Sequence, residues 1–270
     1  MQKKLEHILK TEIDPAFSQR ARFILEEIDT HKPHRLLEVG CGRGFYMYAA
    51  SQFTYIKEIH GIDINQKYID KAKQSNRDPR VNLQKASIYS LPYPDNYFDF
   101  IIASEVLEHL DNDVKGIMEL KRVLKKGGIL AITVPHQRFP FLWDPLNWLL
   151  MALFKTHINK NIWWLAGIWA DHERLYTHES LYKLVTDAGF SVGQDKGVLT
   201  YCWPFSHFIL YGIGKNLVER LHMKGFDRFN FNDTKQSSTL IADVFGLPST
   251  LLDQRFPSEV AMNLVMSARK

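Results

Sequence analysis

The chain has 270 residues, 45% of them hydrophobic and 24% charged, with a net charge of +4. That composition belongs to an ordinary globular protein long enough to bury its own core, and it excludes disordered, collagenous and disulfide-stapled chains. The charges are dispersed, so no basic tail marks the chain for nucleic acid, and a mildly basic surface tolerates an anionic partner without requiring one.

The opening stretch "MQKKLEHILKTEID" is charged and lacks the apolar region of a signal peptide. Residues 1–34 read as an N-terminal helical segment. Short runs rich in Ile, Leu and Val then alternate with helical patterns. "RLLEV" (35–39), "EIHGIDI" (58–64), "VNLQKAS" (81–87), "FDFIIAS" (98–104) and "GGILAITVP" (127–135) predict strands. "FYMYAASQF", "NQKYIDKAKQS" and "NDVKGIMELKRVLKK" predict helices, with Asn65 and Asp111 as caps and Gly127 as a C-terminal stop. This alternation implies a parallel sheet covered on both faces.

After Pro135 the pattern changes. Residues 136–175 hold five of the six tryptophans, Trp143, Trp148, Trp163, Trp164 and Trp169. The rhythm resumes with "THESLYKLVTDAGF", a helix capped at Thr177 or Ser180, and a strand over "SVGQDKGV". A second irregular stretch, 199–257, contains two helical pieces, "WPFSHFILYGIGKNLVERL" and "STLIADVFGLPSTLLDQRF", before a final strand in "SEVAMNLVMSARK". No internal repeat interrupts the chain. Its apolar runs all fall short of the roughly 18–20 residues a spanning helix needs. Two cysteines, one of them inside a glycine loop, suit a reducing compartment. The expectation is a cytoplasmic protein, with contact at the inner membrane surface left open.

The first strand runs into Gly40-Cys41-Gly42-Arg43-Gly44. Glycines at this spacing let a backbone approach a ligand closely. The dinucleotide pattern needs its third glycine one position later, where Phe45 stands, and the Lys-Ser/Thr pair of a P-loop is missing. Glu38 would repel a phosphate and welcome an ammonium or sulfonium. Asp63, nineteen positions after Gly44 at the end of the second strand, suits the hydroxyls of a ribose. The loop after the third strand can sandwich an adenine. A cationic adenosine without phosphate, such as S-adenosylmethionine, has these features.

"EVGCGRG", "GIDIN", "LPYPDNYFDFIIASEVLEHL" and "ELKRVLKKGGILAITVP" together resemble the successive motifs of class I S-adenosylmethionine-dependent methyltransferases. The likeness runs in order over 35–135 and weakly over 172–197. It implies an α/β, Rossmann-like fold over one domain, 1–270: a seven-stranded, mostly parallel sheet, helices on both faces and a helical, aromatic-rich cap. It implies S-adenosylmethionine as cofactor and S-adenosylhomocysteine as product. Glu38 and the backbone of Gly40, Cys41, Gly42 and Gly44 would meet the methionine part, Asp63 the ribose and Ile64 the adenine. Ser87 and Ile88 would hold the adenine edge, with Ser104 and Glu105 near the methionine end. Many relatives have Asp where Ser87 stands, and an uncharged hydroxyl is a weaker acceptor.

Transfer from an activated donor needs position and, for some acceptors, a base. His109, in "SEVLEHL", is the first candidate, His172 the second and His136 the third, while His178 decorates the first turn of its helix. Glu105, Glu108, His109 and His172 also resemble the metal tetrad of small-RNA 3′-terminal 2′-O-methyltransferases, but "EVLEHL" is widespread among metal-free class I enzymes. The expectation is therefore a metal-free site.

In such a sheet the fifth and sixth strands end, and the last strand begins, at the cofactor edge, so 136–175 and 199–257 form cap insertions over the active site. Their tryptophans suit a boundary with one wet side. "PLNWLLMALFK" and "NIWWLAGIWA" are about half a membrane span long and could lie in an interface, with Arg138, Lys155 and Lys160 near headgroups. The expected activity is methylation, on oxygen by preference, of a hydrophobic small molecule or lipid. Nucleic acid is disfavoured as a partner. The alternatives are a metal-assisted RNA 2′-O-methyltransferase and a non-catalytic S-adenosylmethionine-binding protein.

Overall fold

The computed structural model describes residues 3–162, 165–210, 239–253 and 259–270. Seven strands are formed there: β1 (Arg35–Val39), β2 (Glu58–Asp63), β3 (Val81–Lys85), β4 (Phe98–Ser104), β5 (Leu124–Pro135), β6 (Ser191–Val198) and β7 (Asn263–Arg269). They make one sheet in the order β3-β2-β1-β4-β5-β7-β6. β1 to β5 pair in parallel, and β7 runs antiparallel to both β5 and β6. The C-terminal ends of β1 to β6 and the start of β7 therefore share one edge.

The described helices are α1 (Lys3–Thr11), α2 (Pro15–His31), α3 (Phe45–Ser51), α4 (Gln66–Ser75), α5 (Asp113–Val123), α6 (Pro145–Phe154), α7 (His178–Asp187) and α8 (Thr239–Leu252). Alternation along the strands sorts the core into two layers. Leu37, Val39, Ile101, Ala103, Leu130, Ile132 and Val134 pack with α5 and α7. Leu36, Phe100, Ile102, Ile129 and Ala131 pack with α1, α2 and α3. Helix starts follow side-chain chemistry. Asp14 accepts from the Ala16 and Phe17 amides at the head of α2, and Asn65 accepts from the Lys67 amide at the head of α4. Thr177 and Ser180 cap α7 reciprocally, so both expected caps serve one box.

Two local expectations are corrected. The cap of α5 is Asn112, whose side chain accepts from the Lys115 amide at 2.8 Å; Asp111 lies one residue too early to reach it. Gly127 does not end this helix. α5 stops at Val123, and Gly127, at φ +77°, lies inside β5 where its pairing with β4 shifts from Phe98–Leu124 to Phe100–Ile129. The Gly127 amide donates to the Lys270 carbonyl, so the irregular turn of the strand is held by the end of β7.

Insertion 136–175 is pinned by a buried polar hub. The Asp144 carboxylate, fully buried, accepts from the Asn147 amide and side chain and from the Ile168 amide. Gly167, at φ +59°, passes so close that a Cβ there would collide with Asp144 Oδ2. Around this hub a third apolar cluster joins Phe139, Trp143 and Ile168 to Leu199, Cys202 and Met262. Trp143 is wholly buried there rather than at a wet boundary. The insertions meet where the Phe205 and His207 amides donate to the carbonyls of Leu142 and Trp143. α8 packs on α1 and α2. α6 departs from the usual pattern: of its ten residues, PLNWLLMALF, only Pro145 and Asn147 are buried. Trp163, Trp164 and most of the first helical piece of 199–257 lie outside the described residues. Among the described residues no helix is long and apolar enough to cross a membrane.

Candidate active site

The glycine loop leaves β1 at the shared edge. Gly40 has φ +65°, and a Cβ on it would meet Val106 Cγ2 at 2.6 Å, so the loop packs tightly on the segment after β4. Gly44 (φ +85°) precedes α3 and faces Asn76 and Ala72 of the α4 end. Gly42 (φ +51°) differs, because no atom lies within 4 Å of where its Cβ would be. One side of the loop is thus packed and the other is open.

Glu38 stands at the base of this opening. It is 4% exposed, and its Oε2 has no hydrogen-bond partner. Burial, and then the charge of Asp63, hold its carboxyl well above the ordinary range. An orphaned buried carboxyl is costly unless a donor or cation meets it. The Cys41 thiol is raised by the same burial and by Glu38 and Asp63, so it is an inert part of the wall; both cysteines are free. Asp63 at the end of β2 accepts from the Gly42 amide at 2.9 Å and the Asn65 amide at 2.7 Å. Each of its oxygens keeps a further lone pair. Ile64, next to it, is a large apolar side chain left 72% exposed.

Ser87 sits in a tight turn, where its hydroxyl accepts from the Tyr89 amide. The Ile88 side chain turns into the core against Gly116, which leaves its backbone as the part facing out. Ser104 ends β4 and its hydroxyl bonds that of Thr133, which donates to Glu105 Oε1. Glu105 adopts φ +54° and is clamped further by Arg20 Nη1 at 3.0 Å and Asn263 Nδ2 at 2.9 Å. α2, β5 and β7 thus each send one polar group to this carboxylate. Arg20, Thr133 and Asn263 carry no local motif, so sequence reading missed them.

The three candidate histidines separate into two places. His109 follows Glu105 in a short 3-10 turn, and its ring meets that of His172 at 4.8 Å between centroids. Each is oriented by the backbone: His109 Nδ1 donates to the Asp171 carbonyl (2.8 Å) and His172 Nδ1 to the Ile168 carbonyl (2.5 Å). Burial, and then His109, push the His172 pKa down to about 4, which keeps its ring neutral. Glu108 is fully buried beside them, and neither of its oxygens has a partner. Glu105 does not join this group. His136 lies apart, buried on the α7 side against His178, and burial followed by His178 lowers its pKa to about 4. His178 itself bonds Asp195 from the first turn of α7.

Strand order, glycine loop and buried acidic pair define a Rossmann-like methyltransferase fold of class I. Residues 37–132 match the family model of a methyltransferase domain. Over 109 residues the chain is 36% identical to an uncharacterized methyltransferase of Schizosaccharomyces pombe, covering 37% of this chain and 39% of that protein. Over 102 residues it is 35% identical to the 27-O-demethylrifamycin SV methyltransferase of Amycolatopsis mediterranei, covering 36% and 37%. The chain thus spans under two fifths of the length of these relatives. Among solved structures, the [4+2]-cyclase SpnF superposes over 96% of this chain and 85% of its own, with TM-score 0.59 and 21% identity, a likeness of fold.

Residues 37–132 therefore carry a class I methyltransferase domain, whose cofactor is S-adenosylmethionine. The residues present fit that molecule: a buried carboxyl with one oxygen unpartnered, an open glycine backbone, an acid at the end of the second strand and an exposed apolar side chain at Ile64.

Proposed function

We propose that the protein transfers a methyl group from S-adenosylmethionine to a hydrophobic small molecule or lipid, preferentially to oxygen. The observation that carries the acceptor class is α6. Leu146, Trp148, Leu149, Leu153 and Phe154 are exposed on a helix that leaves from the edge of the sheet where the glycine loop lies. Phe141 and Leu142 extend this apolar surface. Large apolar side chains grouped in the open mark a binding surface. The name of the Amycolatopsis relative, with its O-demethyl acceptor, supports the same direction.

In this reading the cofactor supplies a methyl group already activated for displacement, and the protein supplies position. Glu38 accepts from the ammonium, Asp63 from the ribose hydroxyls, and Ile64 lies along the adenine. The turn at Ser87 and Ile88 borders the adenine edge. Ser104 and the clamped Glu105 line the methionine end, and His109 and His172 position the acceptor. His136 has no part, because it is buried against His178. The described parts of both insertions, which leave from the same edge, belong to the acceptor side. α6 also suits contact with a lipid interface through its apolar residues and Lys155, whereas Arg138 and Lys160 are engaged by Glu259 and Glu173.

The test uses S-adenosylmethionine with a deuterated methyl group, purified protein and a cell lysate, fractionated into lipid-soluble and RNA pools for mass spectrometry. Label in a lipid-soluble species is expected. Label confined to RNA ends would overturn the acceptor class.

A further inference from the structure

Glu108, His109 and His172 present an arrangement that positioning alone does not explain. Their potential ligand atoms all lie within 4.8 Å of one another. Glu108 is fully buried, yet both carboxyl oxygens lack a hydrogen-bond partner. His109 Nε2 stands 3.8 Å from Glu108 Oε1. In both imidazoles Nδ1 is committed as donor to a backbone carbonyl, so Nε2 is the nitrogen left to meet a ligand. Backbone carbonyls that fix a tautomer in this way are the usual outer support of a metal-binding histidine. The supporting carbonyls, Ile168 and Asp171, belong to the insertion pinned by Asp144, so the support is rigidly anchored.

We propose that Glu108, His109 and His172 bind one divalent first-row transition cation through the Glu108 carboxylate and the Nε2 atoms of both imidazoles. Two imidazoles and one carboxylate suit Mn²⁺, Fe²⁺, Co²⁺ or Zn²⁺ and disfavour Mg²⁺ and Ca²⁺, which prefer all-oxygen surroundings. Ligands bonded at about 2.0–2.2 Å sit roughly 3–3.6 Å apart, so a gap of 4.8 Å must close by about 1.2–1.8 Å. The half-exposed His109 ring has the freedom to supply that movement. The cation gives a partner to a carboxyl that otherwise sits buried without a hydrogen-bond donor. Three protein ligands leave further coordination positions for a water or an acceptor oxygen, reached from the His109 side. Glu105 stays outside the set, held by Arg20, Thr133 and Asn263.

Cation binding does not depend on methyl transfer and is measured separately from it. The tag-free full chain is stripped with EDTA, freed of chelator and titrated with Co²⁺ by visible absorption and with Zn²⁺ by calorimetry. Uptake of one equivalent is expected, and excess Mg²⁺ should not compete. Glu108→Gln, which keeps the shape of the buried side chain, and His172→Ala should each weaken binding at least about tenfold, while His178→Ala leaves it unchanged. Circular dichroism and S-adenosylmethionine binding on the same samples establish that each variant is folded. Absence of saturable one-to-one uptake by the wild type would overturn the proposal. So would uptake that loses less than about tenfold in folded Glu108→Gln.

Discussion

Replacing Glu38 by glutamine should stabilise the free protein increasingly as pH rises, yet weaken its hold on the cofactor. The Glu38 carboxyl is buried with its Oε2 unpartnered, and burial with Asp63 nearby raises its pKa in the folded chain. The unfolded chain titrates the same group near about 4.3. Between those two values the folded state holds a proton that the unfolded state has released. Stability is therefore fully present below the unfolded pKa and falls as pH climbs above it, by about 1.4 kcal/mol per pH unit, until the folded pKa is passed. Glutamine has no such slope. Any constant cost of its buried amide shifts the comparison without tilting it. Variant-minus-wild-type unfolding free energies, from urea melts between about pH 4.5 and 8, should climb as pH rises above the unfolded value. Cofactor binding runs the other way. A cationic amine beside Glu38 favours its ionised form, so the wild type should release protons on binding wherever the free carboxyl still holds one. The variant should release none and should bind more weakly by about 1.5–3 kcal/mol, the value of a charge-assisted hydrogen bond. Calorimetry in two buffers of different ionisation enthalpy reads both. A flat stability difference together with proton-neutral binding by the wild type would refute the idea that this carboxyl waits for a cation.

The two sides of the glycine loop should respond differently to an added methyl. Gly42→Ala costs about 1–2 kcal/mol for its left-handed backbone and meets no neighbour; it should melt only slightly lower while losing cofactor affinity in calorimetry. Gly44→Ala, aimed at Asn76 Nδ2 (2.5 Å) and Ala72 Cβ (3.1 Å), should lower the melting temperature further. Arg20→Met removes one of three clamps on Glu105. Because that carboxylate keeps two donors and is 26% exposed, the loss should be about 2–3 kcal/mol rather than the larger cost of breaking a fully buried pair. Scanning calorimetry should show a fall of roughly 4–12 °C, with methyl transfer reduced beyond what the lost stability explains. Thr177→Ala, which breaks the capping box of α7, should cost about 1 kcal/mol in urea melts and leave cofactor affinity unchanged.

Much of this architecture was legible because it is local. Strand β1, the loop after it and Asp63 lie within thirty residues, and the spacing alone placed an acid behind an open backbone. The mostly parallel sheet followed from alternation and from the family's motifs. Contacts between distant segments were not legible. Arg20 reaches Glu105 across 85 positions and Asn263 reaches it across 158, and neither sits in a recognisable pattern. Gly127 looked like a helix stop because glycine at positive φ serves both helix ends and strand irregularities; pairing with the chain terminus decides between them. The motif "EVLEHL" offers two acids. Which of its acids meets His172 depends on how residues 168–171 are held, and that is set by Asp144 far along the chain. α6 gave no periodicity to read, since nearly all its side chains are apolar and the direction it faces is fixed from outside.

The hub of Asp144, Asn147 and Gly167 separates two demands that usually compete. A helix ordinarily owes its place to the same apolar side chains that it buries. α6 is fixed at its first turn by buried polar bonds, and its remaining residues contribute little to holding the protein together. Those positions are free to change with the acceptor at small cost to folding. The family match ends at residue 132, just before this insertion begins. In the proposed reading, the matched segment holds the donor, and the insertion offers an acceptor surface that can drift while the fold stays put.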